Sequence, residues 1–167
     1  MTTRADMLFI TEMSARYHRR RASFLEVASS LMSLVTVIGG AGAFLTLIGS
    51  TDTTIAKFAT LALTLVGTVQ LVFKIDTAAA LHKQWLKQWT RILLEIRTNS
   101  EPNVDVIARW IEERYSIEVE CVVEMRALQA DCFNRTMKAL YRVGDQYRLR
   151  WWHRAFMQVW PFEAGVA

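Results

Sequence analysis

The segment that decides the fold is "VASSLMSLVTVIGGAGAFLTLIG", residues 27–49, which holds no charged residue in 23 positions. As a helix it would extend about 34 Å, at about 1.5 Å per residue, and the hydrocarbon core of a bilayer is about 30 Å thick. A secretory signal peptide has a short basic head and an apolar core of about 7–15 residues. Here the stretch before the apolar run is 26 residues long. The apolar run itself is also too long for the core of a signal peptide. The segment therefore predicts a transmembrane helix.

A second apolar segment follows, "FATLALTLVGTVQLVF", residues 58–73. Extended to residues 55–75, it would reach about 31 Å as a helix, provided that Lys57 and Lys74 stretch their ammonium groups to the two interfaces. Since few residues separate the two segments, we expect a two-helix transmembrane hairpin with spans at residues 27–49 and 55–75. The alternative is that both segments are buried helices of a soluble bundle.

Hydrophobic and charged residues are segregated along the chain, making up 52% and 22% of its 167 residues. Residues 27–76 carry two basic and two acidic residues, whereas residues 135–154 carry six basic residues against Asp145 alone, a net charge of +5. Apolar residues recur at helical spacing after the hairpin, and no strand pattern stands out. We therefore predict an all-α membrane protein, a two-helix transmembrane hairpin followed by a cytoplasmic helical domain.

The predicted organisation has four parts: a basic cytoplasmic N-terminal helix in residues 1–26, the hairpin in residues 27–76, the cytoplasmic helical domain in residues 77–160 and a tail in residues 161–167. Basic residues flank both spans, and because basic loops stay in the cytoplasm, both termini are expected there. The flanking residues are Arg16, Arg19, Arg20 and Arg21 before the first span and Lys74, Lys83, Lys87 and Arg91 after the second.

Local signals predict where the cytoplasmic helices begin and end. Nothing in "FKIDTAAALH" breaks a helix, so the second span is expected to continue into residues 77–97. Ser100 is the predicted N-cap of the next helix, with Pro102 in its first turn. That helix should run from residue 101 to at least residue 140, with a kink near "RYSIEVE", and Gly144 should end or bend it. The segment "RLRWWHRAFMQVWPFE" is typical of a short amphipathic helix stopped by Pro161.

Small and polar residues follow both predicted spans at helical spacing. Small residues let helices approach closely in lipid, where packing drives association. Either they pack the two helices of one hairpin, or they contact neighbouring subunits or line a polar path. Two helices cannot enclose a pore, so conduction would require a homo-oligomer, with a tetramer favoured. The candidate residues are Ser29, Ser33, Thr36, Gly39, Gly40 and Ala43 in the first span, and Thr60, Thr64, Gly67, Thr68 and Gln70 in the second.

No arrangement of residues predicts catalysis. His18, His82 and His153 are scattered, and none has metal-ligand spacing with a carboxylate or thiol. We therefore expect no catalytic residue, metal or cofactor. The sequence predicts that Asp76, near the membrane boundary, pairs with Lys74 or a cytoplasmic lysine. Two cysteines, Cys121 and Cys132, are predicted to be buried, reduced thiols on one helix face.

The basic segment in residues 135–154 is interleaved with aromatic residues. Arginine with stacking aromatics suits single-stranded nucleic acid or a nucleotide, and it equally suits a membrane surface, where Trp lies at headgroup level and Arg meets anionic lipid. Both interpretations stay open, together with contact between subunits. The candidate ligand or lipid-headgroup residues are Arg16, Arg19, Arg20, Arg142, Arg148, Arg150, Trp151, Trp152 and Arg154.

The basic "RYHRRR" before the first span, the hairpin and "KIDTAAALHKQWLKQW" after it resemble the SLATT family over about residues 14–140. The resemblance lies in Arg16, Tyr17, Arg20, Asp76, Ala79 and His82. These bacterial two-transmembrane effectors of conflict systems are typically encoded beside nucleotidyltransferases or nucleotide-sensing domains. The resemblance implies a multimeric channel in the bacterial inner membrane that depolarises an infected cell, in response to an oligonucleotide or cyclic nucleotide. Many relatives carry a separate sensor domain; none is expected here, so the chain's own helices or a partner would read the signal.

Two functions therefore stand as hypotheses. The first is an oligomeric, ion-conducting effector of anti-phage defence that is gated by a nucleotide-type ligand. The second is a non-conducting membrane anchor or scaffold that recruits a cytosolic partner through its helical domain. An adjacent nucleotidyltransferase gene would favour the first.

Overall fold

A computed structural model describes residues 3–48, 53–121 and 125–160 of the chain, and within these ranges it contains six helices and no strand. The helices are α1 (Arg4–Ile48), α2 (Thr53–Phe73), α3 (Ile75–Thr98), α4 (Val104–Glu120), α5 (Arg126–Tyr141) and α6 (Trp151–Phe156). The prediction of an all-α protein is confirmed for the part of the chain that the structure describes.

The chain divides into two compact units. The first, here called the hairpin unit, comprises residues 22–81, and the second, the helical unit, comprises residues 1–21 and 82–167. The first turns of α1 therefore belong to the helical unit, and the remainder of α1 belongs to the hairpin unit.

The hairpin unit exposes an apolar surface. Two helical stretches, within Arg4–Gly42 and Lys57–Thr98, are long and apolar enough to cross a membrane. Only 11% and 6% of their apolar windows are buried, whereas a core helix of a soluble protein is mostly buried. Side chains that are at least half exposed follow both helices: Val27, Leu31, Leu34, Val35, Val37, Ile38, Phe58, Leu61, Leu65, Leu71, Val72 and Phe73.

Small residues allow close packing inside the hairpin unit. Leu25, Ile75 and Ala79 form a buried cluster at one end of it. Further along α1, a Cβ atom built on Gly39 would lie only 2.5 Å from Cδ2 of Leu63 in α2. Glycine therefore lets α1 and α2 approach at this point.

The helical unit has two apolar clusters, and the first turns of α1 contribute to both. One cluster joins α1 to α3 and α4 through Met7, Ala15, Trp89, Ile92, Ile96, Trp110 and Ile117. The other joins α1 to α5 and the segment after α6 through Tyr17, Ala127, Leu128, Cys132 and Met157. Packing of amphipathic faces, rather than propensity alone, therefore holds these helices in place.

Two of the predicted helix starts are corrected. The second span does not continue unbroken into α3, because α2 ends at Phe73 and Lys74 adopts a positive φ of 45°. The N-cap of α4 is Asn103 rather than Ser100, and its side chain accepts a 2.9 Å hydrogen bond from the Val106 N–H. A short carboxamide is a strong N-cap, and Pro102 lies before the helix instead of in its first turn.

The predicted single helix over residues 101–140 is also wrong, because α4 ends at Glu120 and α5 begins at Arg126. The Cys121 N–H bonds back to the Glu118 carbonyl, and the Met125 N–H bonds to the Tyr17 hydroxyl. The chain therefore leaves the helix just after the predicted kink. Helix α5 ends at Tyr141 because Arg142, not Gly144, takes the left-handed conformation, with φ 56°. The short helix in the final segment is α6, and Pro161, its predicted stop, lies outside the described residues.

Candidate functional site

Polar side chains connect the helices of the hairpin unit. The Ser29 hydroxyl donates a hydrogen bond to Oδ1 of Asp76, and Nε2 of Gln70 donates to Oγ of Ser33 over 3.3 Å. The sequence predicts Lys74 or a cytoplasmic lysine as the partner of Asp76, whereas the partner that the structure gives is Ser29. The hydroxyl of Ser29 comes from the other side of the hairpin, so chain folding rather than sequence proximity selects the partner.

Three threonine hydroxyls of the hairpin bond to their own helix. Thr36, Thr64 and Thr68 donate to carbonyl oxygens four residues earlier, at 2.7–2.9 Å. Each hydroxyl donor is therefore satisfied, and each oxygen can still accept a hydrogen bond. Such threonines are tolerated in lipid and can also line a hydrated path.

A groove of about 360 Å³, here called the polar groove, lies on the hairpin unit. It combines hydroxyl, amide, ammonium and carboxylate groups with a glycine that leaves room. Its lining residues are Thr36, Gly67, Gln70, Leu71, Lys74, Asp76 and Thr77. On a single hairpin in a bilayer, these polar groups would be costly where they met hydrocarbon.

The structure separates the predicted small-residue candidates into two sets. Ser29, Ser33, Gly39 and Gln70 have contacts within the hairpin, as given above. The remaining candidates lie at open or exposed positions. Cβ atoms built on Gly40 and Gly67 meet no described atom within 4 Å. The side chains of Thr36, Thr60 and Thr64 are exposed. The side chain of Ala43 lies outside the described residues.

The predicted N-terminal ligand arginines have different roles in the helical unit. Arg16 forms an ion pair with Glu12 at 2.9 Å, and Arg20 pairs with Asp131, which also binds Arg135 at 2.7 Å. Arg19 alone of these three is classed as exposed. Arg20 therefore joins α1 to α5, Arg16 pairs within α1, and Arg19 is the exposed one of the three arginines.

The predicted tail residues form a more continuous surface. Arg142, Arg148, Arg150, Trp151 and Arg154 are exposed, and Trp152 is half-buried. The Arg150 guanidinium lies 4.8 Å from the Trp152 ring centroid, a cation–π distance. Trp151 and Trp152 meet edge to face with centroids 6.1 Å apart, and Arg154 lies 3.7 Å from the Asp145 carboxylate.

The structure also brings together two histidines that sequence spacing left apart. Nδ1 of His18 in α1 lies 2.9 Å from Nδ1 of His82 in α3, and both side chains are buried. The rings of Tyr17 and Trp85 surround the pair. Burial lowers the pKa of His18 to about 3 and that of His82 to about 4. Both rings are therefore neutral at pH 7, so one Nδ1 donates its hydrogen and the other accepts it.

No simple motif would have revealed this pair, because His18 and His82 are 64 residues apart. Each histidine lies on the buried face of its helix, which is the only signal in the sequence. Within residues 3–48, 53–121 and 125–160, no three His, Cys, Asp or Glu side chains are placed to hold a metal ion. The pair is thus a hydrogen-bonded contact between α1 and α3.

A cavity of about 370 Å³ lies beside His18 in the helical unit. Apolar and polar side chains mix in its lining, which comprises Ile10, Met13, Ser14, Tyr17, His18, Trp89, Arg114, Ile117, Glu118, Cys121 and Gln129. Arg114 and Glu118 pair at 2.8 Å. The Trp89 indole N–H is buried and makes no hydrogen bond within the described part of the chain. The cavity is large enough for a small molecule.

The prediction for the cysteines is confirmed in part, since both are reduced thiols and Cys132 is buried. Cys132 is buried in α5, where desolvation raises the pKa of its thiol to about 11. Cys121 follows α4 and is half-buried. The break between α4 and α5 places the two thiols on different elements, so they do not share one helix face.

Comparisons with protein-family models, with curated proteins and with solved structures give no match to this chain. The resemblance to the SLATT family therefore stays a prediction, and proposals about function depend on the geometry described above.

Proposed function

We propose that this protein is an oligomeric membrane effector whose hairpin crosses the bilayer twice and conducts ions between subunits. The observation that carries the proposal is the polar groove on a hairpin unit that also exposes many large apolar side chains. A lone hairpin would leave this groove facing lipid. Neighbouring copies that cover it would convert it into a polar path.

Membrane crossing is supported by length, composition and exposure together. The apolar windows bury only 11% and 6% of their residues, and the exposed residues are Leu, Ile, Val and Phe. Lipid is the environment in which such surfaces are stable. The basic residues on both sides of the hairpin favour cytoplasmic termini, and the inner membrane of a bacterium is the proposed location.

Oligomerisation is supported by the open positions on α1 and α2. Gly40 and Gly67 leave space that nothing else in the described chain occupies. The neighbouring threonines satisfy their hydroxyl donors within their own helices. A second copy can therefore approach closely without leaving donors unsatisfied. A homo-oligomer is proposed, with a tetramer favoured.

The biological role rests on the family resemblance and stays a proposal. In this role the channel depolarises an infected cell as part of anti-phage defence and abortive infection. An oligonucleotide or cyclic nucleotide, made by an adjacent nucleotidyltransferase, gates it. The cavity beside His18 is a place where such a signal could bind.

An ion-flux assay tests conduction. The purified full chain is reconstituted into vesicles loaded with a potassium-sensitive dye. Wild-type protein should dissipate a potassium gradient, and Gly67→Leu should reduce this flux because its side chain fills the polar groove. Val37→Leu is the matched control, since Val37 is 70% exposed on the apolar surface, and its flux should be unchanged. Assembled wild-type oligomers that give no flux either alone or with an added oligonucleotide or cyclic nucleotide would contradict the channel.

The alternative function, a non-conducting scaffold, has its own structural support. Helix α4 exposes three large apolar or aromatic side chains, Val104, Tyr115 and Val119, to 77%, 57% and 79%. A cytosolic partner could cover them. Protein that inserts and assembles but never conducts would favour this scaffold.

A further inference from the structure

The segment around α6 carries several exposed aromatic and apolar side chains within ten residues, here together called the tail surface. It consists of Trp151, Phe156, Val159 and Trp160, whose exposed fractions are 75%, 51%, 63% and 63%. Large aromatic side chains are rarely left in water at this density, and such patches mark interaction sites. The tail surface therefore needs an occupant.

Positive charge borders this surface. Arg148, Arg150 and Arg154 are exposed next to it, and residues 135–154 carry a net charge of +5. Arg150 is also held against the Trp152 ring. The occupant must therefore offer anionic groups that bind the arginines and an apolar interior that takes up the aromatic rings. An anionic phospholipid surface has this layering, with phosphates outside and acyl chains beneath.

The tail surface is attached to a defined place on α1. The Arg21 guanidinium donates a hydrogen bond to the Gln158 carbonyl, and Met157 is buried in the cluster that contains Tyr17. In the sequence of the same helix, Arg21 comes six residues before Val27, where the apolar segment starts. The segment that carries the exposed tryptophans is thus fastened to the last turns of α1 before its apolar part.

We propose that the tail surface docks on the anionic headgroup layer of the bilayer that the hairpin spans. Trp151 and Trp160 enter at headgroup depth, Phe156 and Val159 reach the upper acyl chains, and the arginines bind lipid phosphates. The proposal rests on the proposed membrane crossing. It adds a second contact that ties the helical unit to the membrane surface.

Nucleic acid would use part of the same chemistry, since arginines bind phosphates and tryptophans stack on bases. Two observations favour lipid. Val159 is 63% exposed in the same segment as the tryptophans, and an aliphatic side chain gives no stacking platform for a base. The segment also binds Arg21, which comes in the sequence only six residues before the apolar run that starts at Val27.

Tryptophan fluorescence can test the docking in the full chain. All six tryptophans lie outside residues 22–81, so the hairpin contributes no signal. The protein is reconstituted into phosphatidylcholine vesicles with phosphatidylglycerol, in which a fraction of the lipid carries bromine at a shallow acyl position. Bromine should quench the fluorescence. The double variant W151F/W160F should lose at least half of the quenching, and W85F, the matched control at a half-buried site, should lose little.

Charge dependence gives a second readout. In vesicles of phosphatidylcholine alone, bromine should quench the tryptophan fluorescence of the wild-type protein less. The variant R148E/R150E, which keeps all six tryptophans, should also be quenched less in vesicles that contain phosphatidylglycerol. Equal quenching in wild type and W151F/W160F would overturn the proposal. So would tight binding of a single-stranded oligonucleotide in neutral detergent that is lost in R148E/R150E, because the tail would then be a nucleic-acid site.

Extraction of the protein from the vesicles distinguishes a failure of the membrane crossing from a failure of the docking. If alkaline carbonate releases the protein from vesicles, the hairpin does not cross the membrane, and the proposed function is contradicted. If the protein resists extraction but shows no quenching that depends on Trp151 and Trp160, the hairpin stands and only the docking is overturned.

Discussion

At the scale of single residues, the His18–His82 contact is the most informative feature of the helical unit. Two neutral imidazoles share one hydrogen bond between α1 and α3 in a site bordered by Tyr17 and Trp85. Desolvation is the main cause of both lowered pKa values, and the charge of Arg21 lowers that of His82 further. Protonating this pair would place charge in a buried site beside another cation.

Stability of the helical unit should therefore depend on pH. The ordinary His pKa is 6.5, and the folded values are about 3 and about 4. Below pH 6.5 the unfolded chain binds protons that the folded pair does not. The contribution of this pair to stability should be constant above that pH and fall as pH drops towards 4, by about 1.4 kcal/mol per pH unit for each proton.

Thermal unfolding of the full chain in detergent, followed by tryptophan fluorescence, measures this dependence. His18→Gln removes one of the two groups and should flatten the decline between pH 7.5 and pH 5, at the cost of some stability at neutral pH. His153→Gln is the matched control and should keep the wild-type slope. Identical slopes in all three proteins would show that the pair is not the titrating group.

At the scale of elements, adjacent glycines of α1 have different roles. A side chain at Gly39 meets Leu63 of α2, whereas a side chain at Gly40 meets no described atom within 4 Å. Sequence spacing placed both in the same small-residue pattern. Only the packing of α1 on α2 separates an internal contact from a position open to another subunit.

Gly39→Leu should therefore affect the folding of the hairpin, whereas Gly40→Leu should affect subunit assembly. Gly39→Leu should separate α1 from α2 and weaken the folded hairpin, seen as faster proteolysis in mild detergent. Gly40→Leu should leave the hairpin folded and shift the protein to smaller species in size-exclusion chromatography with light scattering. Val37→Leu, at an exposed apolar site, should behave as wild type in both assays. If Gly40→Leu assembles normally, this surface of α1 is not a subunit contact.

At the scale of the whole molecule, the proposed topology places both termini in the cytoplasm and the short connection outside. Ser50 lies in this connection, beyond the described residues. A cysteine at Ser50, in a chain whose native cysteines are replaced, should react with a membrane-impermeant maleimide in intact cells. Val104→Cys in the same background, 77% exposed on α4, should react only after the cells are permeabilised. Labelling of both positions from the same side would contradict the hairpin.

The sequence by itself determined the helical class, the two long apolar helices and the segregation of charge, because each follows from local composition and helical period. The break after Glu120 was missed because it depends on a tertiary partner, the Tyr17 hydroxyl that accepts a hydrogen bond from the Met125 N–H. The Asn103 cap is a local bond to the Val106 N–H, and it was missed because Ser100 offered a competing N-cap. Only the tertiary structure decided that Ser29 binds Asp76, that His18 meets His82 and that Gly39 faces Leu63. These pairs join positions far apart in the chain, and no periodicity relates residues on different helices.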